Sequence, residues 1–276
     1  MKPKKNDTKK LFIKLGTCSQ LYCHLLNREF CNTRQNEERA LDPLAGGIYK
    51  LGYQCGMLCG SALAIGAESF KRFNSQSTAI GRSIYATQHI MKSFLAKAKS
   101  IECYDITECS WTSKASMAKY FFTAKFLKCF NIADEWTSEA VQAAHEGLSL
   151  EQNNLPDKCS SCASEAVKRI GATEEEQVMV SGFAGGLGLS GNACGALAAS
   201  IWMNYLKRIK RGEKISFSDL QAEKSIEIFY KATDYEILCS KITGRQFETV
   251  NDHSLFIHSG GCAKLIDVLA NDLPSK

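Results

Sequence analysis

Proline and valine are scarce in this chain: 276 residues contain four prolines and six valines. So little valine gives poor support to a β-rich architecture. A secretory leader is missing as well. The only apolar run after the first lysines is Leu11-Phe12-Ile13, cut off by Lys14, which is too short for a signal-peptide core and points to a cytoplasmic protein. Positive charge away from the N-terminus is also lacking. Of the net charge of +5, the first ten residues supply +4 through five lysines against Asp7. Basicity is therefore the property of a tail over residues 1–10, read as disordered, and no nucleic-acid partner is expected. No C-x-x-C-H stretch occurs, which argues against covalently attached haem. No repeated acid pair suggests general acid–base work.

Cysteine is abundant. Thirteen cysteines, an odd number, in a chain without an export signal argue against a disulfide scaffold and leave metal binding or redox chemistry as the leading use. Their order repeats. Residues 44–63 (LAGGIYKLGYQCGMLCGSAL) and 183–202 (FAGGLGLSGNACGALAASIW) align without a gap, with eight of twenty positions identical, including Cys55/Cys194 and Gly56/Gly195. Downstream, Cys103-Tyr-Asp-Ile-Thr is matched by Cys239-Ser-Lys-Ile-Thr, and Cys129 by Cys262, with Asp134 and Asp267 each five residues further on. Upstream, Cys23 and Cys162 stand at the same distance before Cys55 and Cys194. A period this long indicates duplicated domains rather than a solenoid, whose repeats recur every 20 to 50 residues or so.

The first repeat is read as 11–150 and the second as 151–276, joined by a polar linker at about 149–158 that contains Pro156. The length suits two cores. Helical spacing of Ile80, Ile84, Met91, Leu95 and Ala98, and of Phe121, Phe122, Phe126, Cys129 and Phe130, predicts an all-α protein of two homologous helical domains with four to five helices each. Ser75 or Ser77 would cap a helix over 78–99, and Ser216 or Ser218 one over 219–233. The uncharged run from Gln177 to Leu206 is long enough to cross a bilayer. Six glycines in its first part, and a charged counterpart in the first repeat, favour a buried helix preceded by a Gly-rich loop, so no membrane insertion is expected.

That placement puts Cys55 and Cys194 at helix starts, where the positive end of the helix dipole would favour the thiolate, and marks them as candidate redox thiols. A lone cysteine reads most simply as a small buried apolar residue. Four matching cysteines in each half ask for more, such as a soft-metal or cluster site assembled from helix ends. Cys159-Ser-Ser-Cys162 is a C-x-x-C without a surrounding βαβ pattern, so a zinc pair or a duplicate first ligand fits it better than a thioredoxin motif. Gly186-Leu-Gly188-Leu-Ser-Gly191 spells GxGxxG, but the first copy lacks the middle glycine, so these glycines are assigned to the turn before the cysteine helix. Cys59, Cys31 and Cys109 have no counterparts and default to packing, surface or auxiliary thiols. His258 and Cys262, spaced i, i+4, would share a helix face and offer a histidine ligand.

These motifs resemble the redox-active family named for its C…GCAxxG…C…C pattern. The resemblance rests on Thr17-Cys18-Ser19-Gln20 and Cys162-Ala163-Ser164-Glu165, on Gly46-Gly47…Cys55-Gly56-Met57-Leu58-Cys59-Gly60 and Gly185-Gly186…Cys194-Gly195, and on Cys103, Cys129, Cys239 and Cys262. Gly replaces the motif Ala after both central cysteines, and Ala199 replaces the closing Gly of the second copy. The first site cysteine is Cys18 or Cys23 in one half, and Cys159 or Cys162 in the other. The resemblance implies two helical domains with a redox role in anaerobic metabolism, as an oxidoreductase or an electron-transfer component. It implies cysteines that hold an iron–sulfur cluster or exchange as thiols, and an unidentified redox partner protein. The two repeats would pack as an intramolecular pseudo-dimer. The alternative is a zinc-stapled helical binding module without redox chemistry.

Overall fold

A computed structural model describes residues 7–150, 155–215 and 220–271. Among them it contains fifteen α-helices, two 3-10 turns and no strand, only two isolated β-bridges. The first half runs α1 (Thr8–Leu15), α2 (Cys18–Glu29), α3 (Gln35–Arg39), a 3-10 turn (Asp42–Leu44), α4 (Gly56–Arg72), α5 (Gln76–Ala98), α6 (Cys103–Thr107), α7 (Lys114–Phe122) and α8 (Phe126–Ser149). The second half runs α9 (Cys162–Arg169), α10 (Glu174–Met179), a 3-10 turn (Ser181–Phe183), α11 (Gly195–Lys210), α12 (Leu220–Ala232), α13 (Cys239–Ile242), α14 (Val250–His258) and α15 (Ala263–Asn271). Apart from α1, the elements correspond one to one. The chain is a tandem duplication of one all-α unit. Each half holds more helices than the periodicity predicts, because one-turn helices such as α3, α6, α10 and α13 are too short to carry a 3.6-residue signal.

Local chemistry sets the helix starts. Thr17, Ser75, Ser113, Ser161 and Thr249 each accept a hydrogen bond from a backbone N–H of the turn they open, and Thr173 forms a reciprocal capping box with Glu176. Ser75, not Ser77, caps α5, while the Ser77 hydroxyl donates to the carbonyl of Asp157. The proposed Ser216 or Ser218 cap lies outside the described residues. So do residues 1–6 of the tail and 151–154 of the linker, but Thr8 to Lys10, expected in the tail, belong to α1, where Asp7 just before it pairs with Arg28 of α2. The helix expected through Phe121 to Phe130 is broken at Ala124, whose φ of 53° is left-handed, so that α7 and α8 meet at an angle around the aromatic residues.

Two helices are buried on nearly every side. In α4, fourteen of seventeen residues are buried, and in α11 twelve of sixteen. A helix that is apolar all round belongs in the centre of a protein or in a bilayer. Among the described residues no helix is long and apolar enough to cross a membrane. The uncharged run at 177–206 resolves into a turn, a glycine loop and the front of α11. Within the first half α4 packs on α2 and α5, and across the halves it packs on α10; α11 packs on α9 and α15 and, across the halves, on α3. Glycine permits the closest approaches: a Cβ at Gly60 would run into the Ser19 carbonyl of α2, and one at Gly66 into the Met179 carbonyl of α10.

The length suits two cores, yet one apolar cluster runs through both halves, from Leu21, Leu26 and Trp136 to Leu197, Trp202 and Phe229. Polar bonds cross the same boundary. The Trp202 indole donates to the Glu37 carbonyl at 3.1 Å, and Gln54 Nε2 donates to the carbonyls of Ala193 at 2.7 Å and Gly186 at 3.2 Å. Gln54 and Ala193 are equivalent positions of the duplication.

The loop before each central helix is the most unusual piece of backbone. Gly46, Gly47, Ile48, Tyr49 and Lys50 have φ of 72, 77, 55, 50 and 68°, and Gly185 to Leu189 repeat this with 58, 82, 73, 54 and 64°. Each non-glycine residue in that region costs about 1–2 kcal/mol. Burial offsets the strain, since Ile48 and Leu187 are almost fully enclosed and each such side chain returns about 1.5–3 kcal/mol. The hydrogen bonds match as well: Gly52 N–H to Gly46 O and Gly191 N–H to Gly185 O, at 3.0 and 2.9 Å.

A methyl at Gly47 or Gly186 would meet the backbone of Tyr53 or Asn192 in a left-handed residue, whereas one at exposed Gly212, also left-handed, would meet nothing. Gly47→Ala and Gly186→Ala are expected to lose about 2–4 kcal/mol, from backbone strain plus overpacking, and Gly212→Ala about 1 kcal/mol from strain alone. Urea unfolding of the three variants checks this.

Candidate functional site

The glycine loop leads directly to the cysteines. After it, Gln54 forms an antiparallel bridge with Glu102, and Ala193 one with Leu238. Flanking hydrogen bonds run from Cys55 N–H to Ile101 O and from Cys103 N–H to Tyr53 O, both 2.7 Å. In the second half they run from Cys194 N–H to Ile237 O at 2.9 Å and from Cys239 N–H to Asn192 O at 2.7 Å. Each bridge thus holds the second and third cysteines of a set one residue past the bridged pair. The repeated threonine of C-x-x-x-T has a local role: the hydroxyls of Thr107 and Thr243 donate to the carbonyls of Cys103 and Cys239 four residues back, at 2.7 and 2.8 Å.

Cys18 and Cys162 complete the sets. Both are the first residue of a helix, α2 or α9, and nearby peptide groups, of Gly46, Cys18 and Ser19 in one half and of Gly185, Ala163, Cys162 and Ala196 in the other, favour the thiolate against the larger penalty of burial. The left-handed loop therefore brings the peptide group of Gly46 or Gly185 to the first cysteine while delivering the second. Cys18 is also the common neighbour of the others, because its charge would be the largest electrostatic penalty on a thiolate at Cys55 or at Cys103; Cys162 plays that part for Cys194, Cys239 and Cys262.

Cys23 and Cys159 lie elsewhere. Cys23 is enclosed in α2, where Asn27 Nδ2 donates to its sulfur at 3.4 Å and Glu38 is its nearest charge. Cys159 shares the smaller apolar cluster with Cys239, but Ser254 is its side-chain hydrogen-bond partner and, unlike Cys194, Cys239 and Cys262, its thiol is not raised by the charge of Cys162. The two alternatives for the first cysteine thus separate in space: the structure gathers Cys18, Cys55, Cys103 and Cys129, and Cys162, Cys194, Cys239 and Cys262. His258 does not join Cys262 on a helix face, because α14 ends at His258 and a turn through Gly260 and Gly261 intervenes. Asp134 and Asp267 are outside the sites as well; they pair with Lys9 and Arg169 and tie α8 to α1 and α15 to α9.

The expected thiolates are not favoured. Cys55 and Cys194 do stand at the N-cap positions of α4 and α11, but neither side chain accepts a capping hydrogen bond, and both thiols are pushed well above their ordinary pKa. Burial is the largest cause. Complete burial can move a pKa by 3–5 units or so, against about 0.3–1 kcal/mol for an ordinary helix end. Burial and neighbouring thiols also push Cys18 up to about 12, and Cys262 to about 12. Cys103, Cys239, Cys129 and Cys162 are raised too, with burial the largest cause in each. Beside Cys103, burial and the charge of Asp105 raise the Glu102 carboxyl to about 7.

The first set lines a cavity of about 440 Å³. Its other walls include Met57, Ile106, Trp111, Tyr120, Phe126 and Phe130. Tyr120 Oη donates to Cys129 Sγ at 3.4 Å. The sequence marks Phe126 and Phe130 as helical but gives no sign of a cavity wall, which exists only once α7 turns back on α8. Four thiols are the donor set that a cluster or zinc takes. Among the described residues, however, no group of three or more His, Cys, Asp or Glu side chains is arranged to hold a metal ion. As they stand, the sulfurs line a space rather than converge on one centre.

Thiols whose folded pKa lies above the unfolded value of 9.0 bind protons more tightly when folded, so their contribution to stability is complete below pH 9 and is lost as pH rises towards about 12. His253 acts at the other end. Burial lowers it from 6.5 to about 4, so its contribution is lost as pH falls through that interval. Glu102, whose folded pKa is raised to about 7, works the opposite way over the same acid interval, so stability measured by urea unfolding is expected to decline above about pH 9, and His253→Phe should raise stability at acid relative to neutral pH compared with the wild type.

No curated protein and no solved structure matches this chain. The family model described as "Putative redox-active protein (C_GCAxxG_C_C)" matches residues 17–146 and again 153–273. With most of the sequence covered by two successive matches, each enclosing one four-cysteine set, the chain belongs to the C_GCAxxG_C_C family and carries its unit twice.

Proposed function

We propose that this protein is a thiol redox protein in which two four-cysteine sets, centred on Cys18 and Cys162, cycle between dithiol and disulfide. The observation that carries the reading is that each half draws four cysteines from distant parts of the sequence to one buried place and sets peptide groups that favour the thiolate beside the first of them. Packing alone has no need of sulfur at eight matched positions. In the oxidation, two thiols lose two protons and two electrons to an acceptor and form one S–S bond, with Cys18–Cys55 and Cys162–Cys194 as the assigned pairs. The peptide N–H groups stabilise the thiolate that attacks. Neighbouring protonated thiols and the Glu102 carboxyl, with its pKa of about 7, are available to relay protons.

The arrangement of the sulfurs favours exchange over a resident metal, and a cluster or zinc is the competing outcome of the same experiment. Thirteen free cysteines suit a reducing compartment such as the cytoplasm. The matching contacts across the boundary, α4 with α10 and α11 with α3, support the reading of the two halves as an intramolecular pseudo-dimer.

Anaerobically purified protein is expected to lack stoichiometric iron, sulfide and zinc, and to lose two thiols per half reversibly on titration with glutathione redox buffers. Cys18→Ser should abolish the change in the first half and Cys162→Ser in the second, whereas Cys23→Ala and Cys159→Ala should retain it. Mass spectrometry of alkylated peptides reads each half separately. Iron with sulfide would replace exchange by a cluster, and zinc whose removal unfolds the chain would replace it by a structural staple.

A further inference from the structure

The two halves match in backbone and in sulfur, but not in the rings that cover the sulfur. Trp111 stands three residues before α7 and Tyr120 inside it; Phe247 and Phe256 hold the same positions relative to α14. Neighbours confirm the correspondence, since a Cβ at Gly46 would touch the Trp111 ring and one at Gly185 the Phe247 ring. In the second half the rings pack on each other, with Phe247 and Phe256 centroids 5.1 Å apart and His253 edge-on to Phe247 at 4.9 Å. In the first half the corresponding rings, Trp111 and Tyr120, also meet, and there they wall the cavity.

Three properties of that cavity narrow its occupant. Among the residues that line it there is no lysine, arginine or histidine, and its one carboxylate, Asp42, is committed to the Thr17 hydroxyl at 2.7 Å, so nothing there pairs with a charged ligand. Its faces are aromatic: Phe12 and Phe130 stack with centroids 4.3 Å apart, and Trp111 and Tyr120 meet edge to face at 4.9 Å. Finally, the buried Trp111 indole N–H faces the Cys103 sulfur without making a hydrogen bond of good geometry. A buried donor so poorly paired is a penalty that a ligand oxygen would relieve.

We propose that the first-half cavity binds an uncharged aromatic carbonyl oxidant, a quinone, between the aromatic walls, with one carbonyl oxygen accepting from Trp111 Nε1. The inference rests on the thiol reading above. Cys18 and Cys55 form a disulfide, and their two electrons and two protons reduce the quinone to the hydroquinone. The second half, with phenyl rings in place of the indole and phenol, exchanges thiols without this ligand.

The probe is duroquinone, whose fully methylated ring resists addition of thiols. Equilibrium dialysis against the full-length protein, reduced and anaerobic, is expected to give one saturable site. Hydroquinone should appear one for one with a disulfide confined to the first half. Trp111→Phe should weaken binding up to about tenfold, the worth of one hydrogen bond, and the bulkier Ile106→Trp should block it; circular dichroism establishes that both variants fold. Cys18→Ser should bind duroquinone and fail to reduce it. Oxidation of the thiols by glutathione disulfide with no saturable duroquinone binding would overturn the quinone site and leave the thiol reading intact. Binding without oxidation of any thiol in the wild-type protein would overturn the thiol reading instead. Equal reduction through both halves, or by Trp111→Phe with unchanged affinity, would overturn the assignment to this cavity.

Discussion

Everything about the two sulfur sets depends on five successive residues held in the left-handed region ahead of each central helix. That run turns the chain back tightly enough for one peptide group to lie beside the first cysteine while the next extended residues form the bridge that fixes the second and third. L-amino acids resist this conformation, and the loop persists because Ile48 and Leu187 are driven into the core at a gain comparable to the strain. Gly47, Gly60, Gly186 and Gly195 of the motif are the places where a side chain would collide with neighbouring backbone. The loop and its bridge thus set where the first three cysteines of each set stand.

Burial and the helix end compete for the same sulfur, and burial wins. Helix-start cysteines are commonly treated as activated, but Cys55 and Cys194 lie so far from water that the amides around them reduce a penalty they cannot cancel. In the proposed exchange, a protonated resting state would make reactivity depend on what enters the cavity or on what removes a proton, rather than on a standing thiolate.

Much of this was legible in the chain. The duplication and the all-helical class followed from spacing and composition, because a repeated residue order survives whatever the fold does with it. Even the C-x-x-x-T match has a concrete counterpart in the threonine-to-carbonyl bond. The choice between Cys18 and Cys23 was not legible: the two lie five residues apart on one helix, and only the position of the glycine loop decides which sulfur faces Cys55 and Cys103. The cavity was hidden for a similar reason. A run of phenylalanines at helical spacing does not disclose that a left-handed Ala124 will fold the run into two walls. Nor does a hydrophobic pattern indicate whether two repeats own separate cores or divide one between them.

That division has a further consequence. Because α4 and α11 are each enclosed partly by the opposite repeat, and Gln54 spends its amide on the backbone of its own counterpart, either repeat made alone would leave an apolar helix and several hydrogen-bonding groups uncovered. The copies are no longer interchangeable modules that can be added, lost or shuffled. Each serves as the other's scaffold, so a copy that stopped doing chemistry would still have to be retained, and its sulfur set could decay while its framework could not.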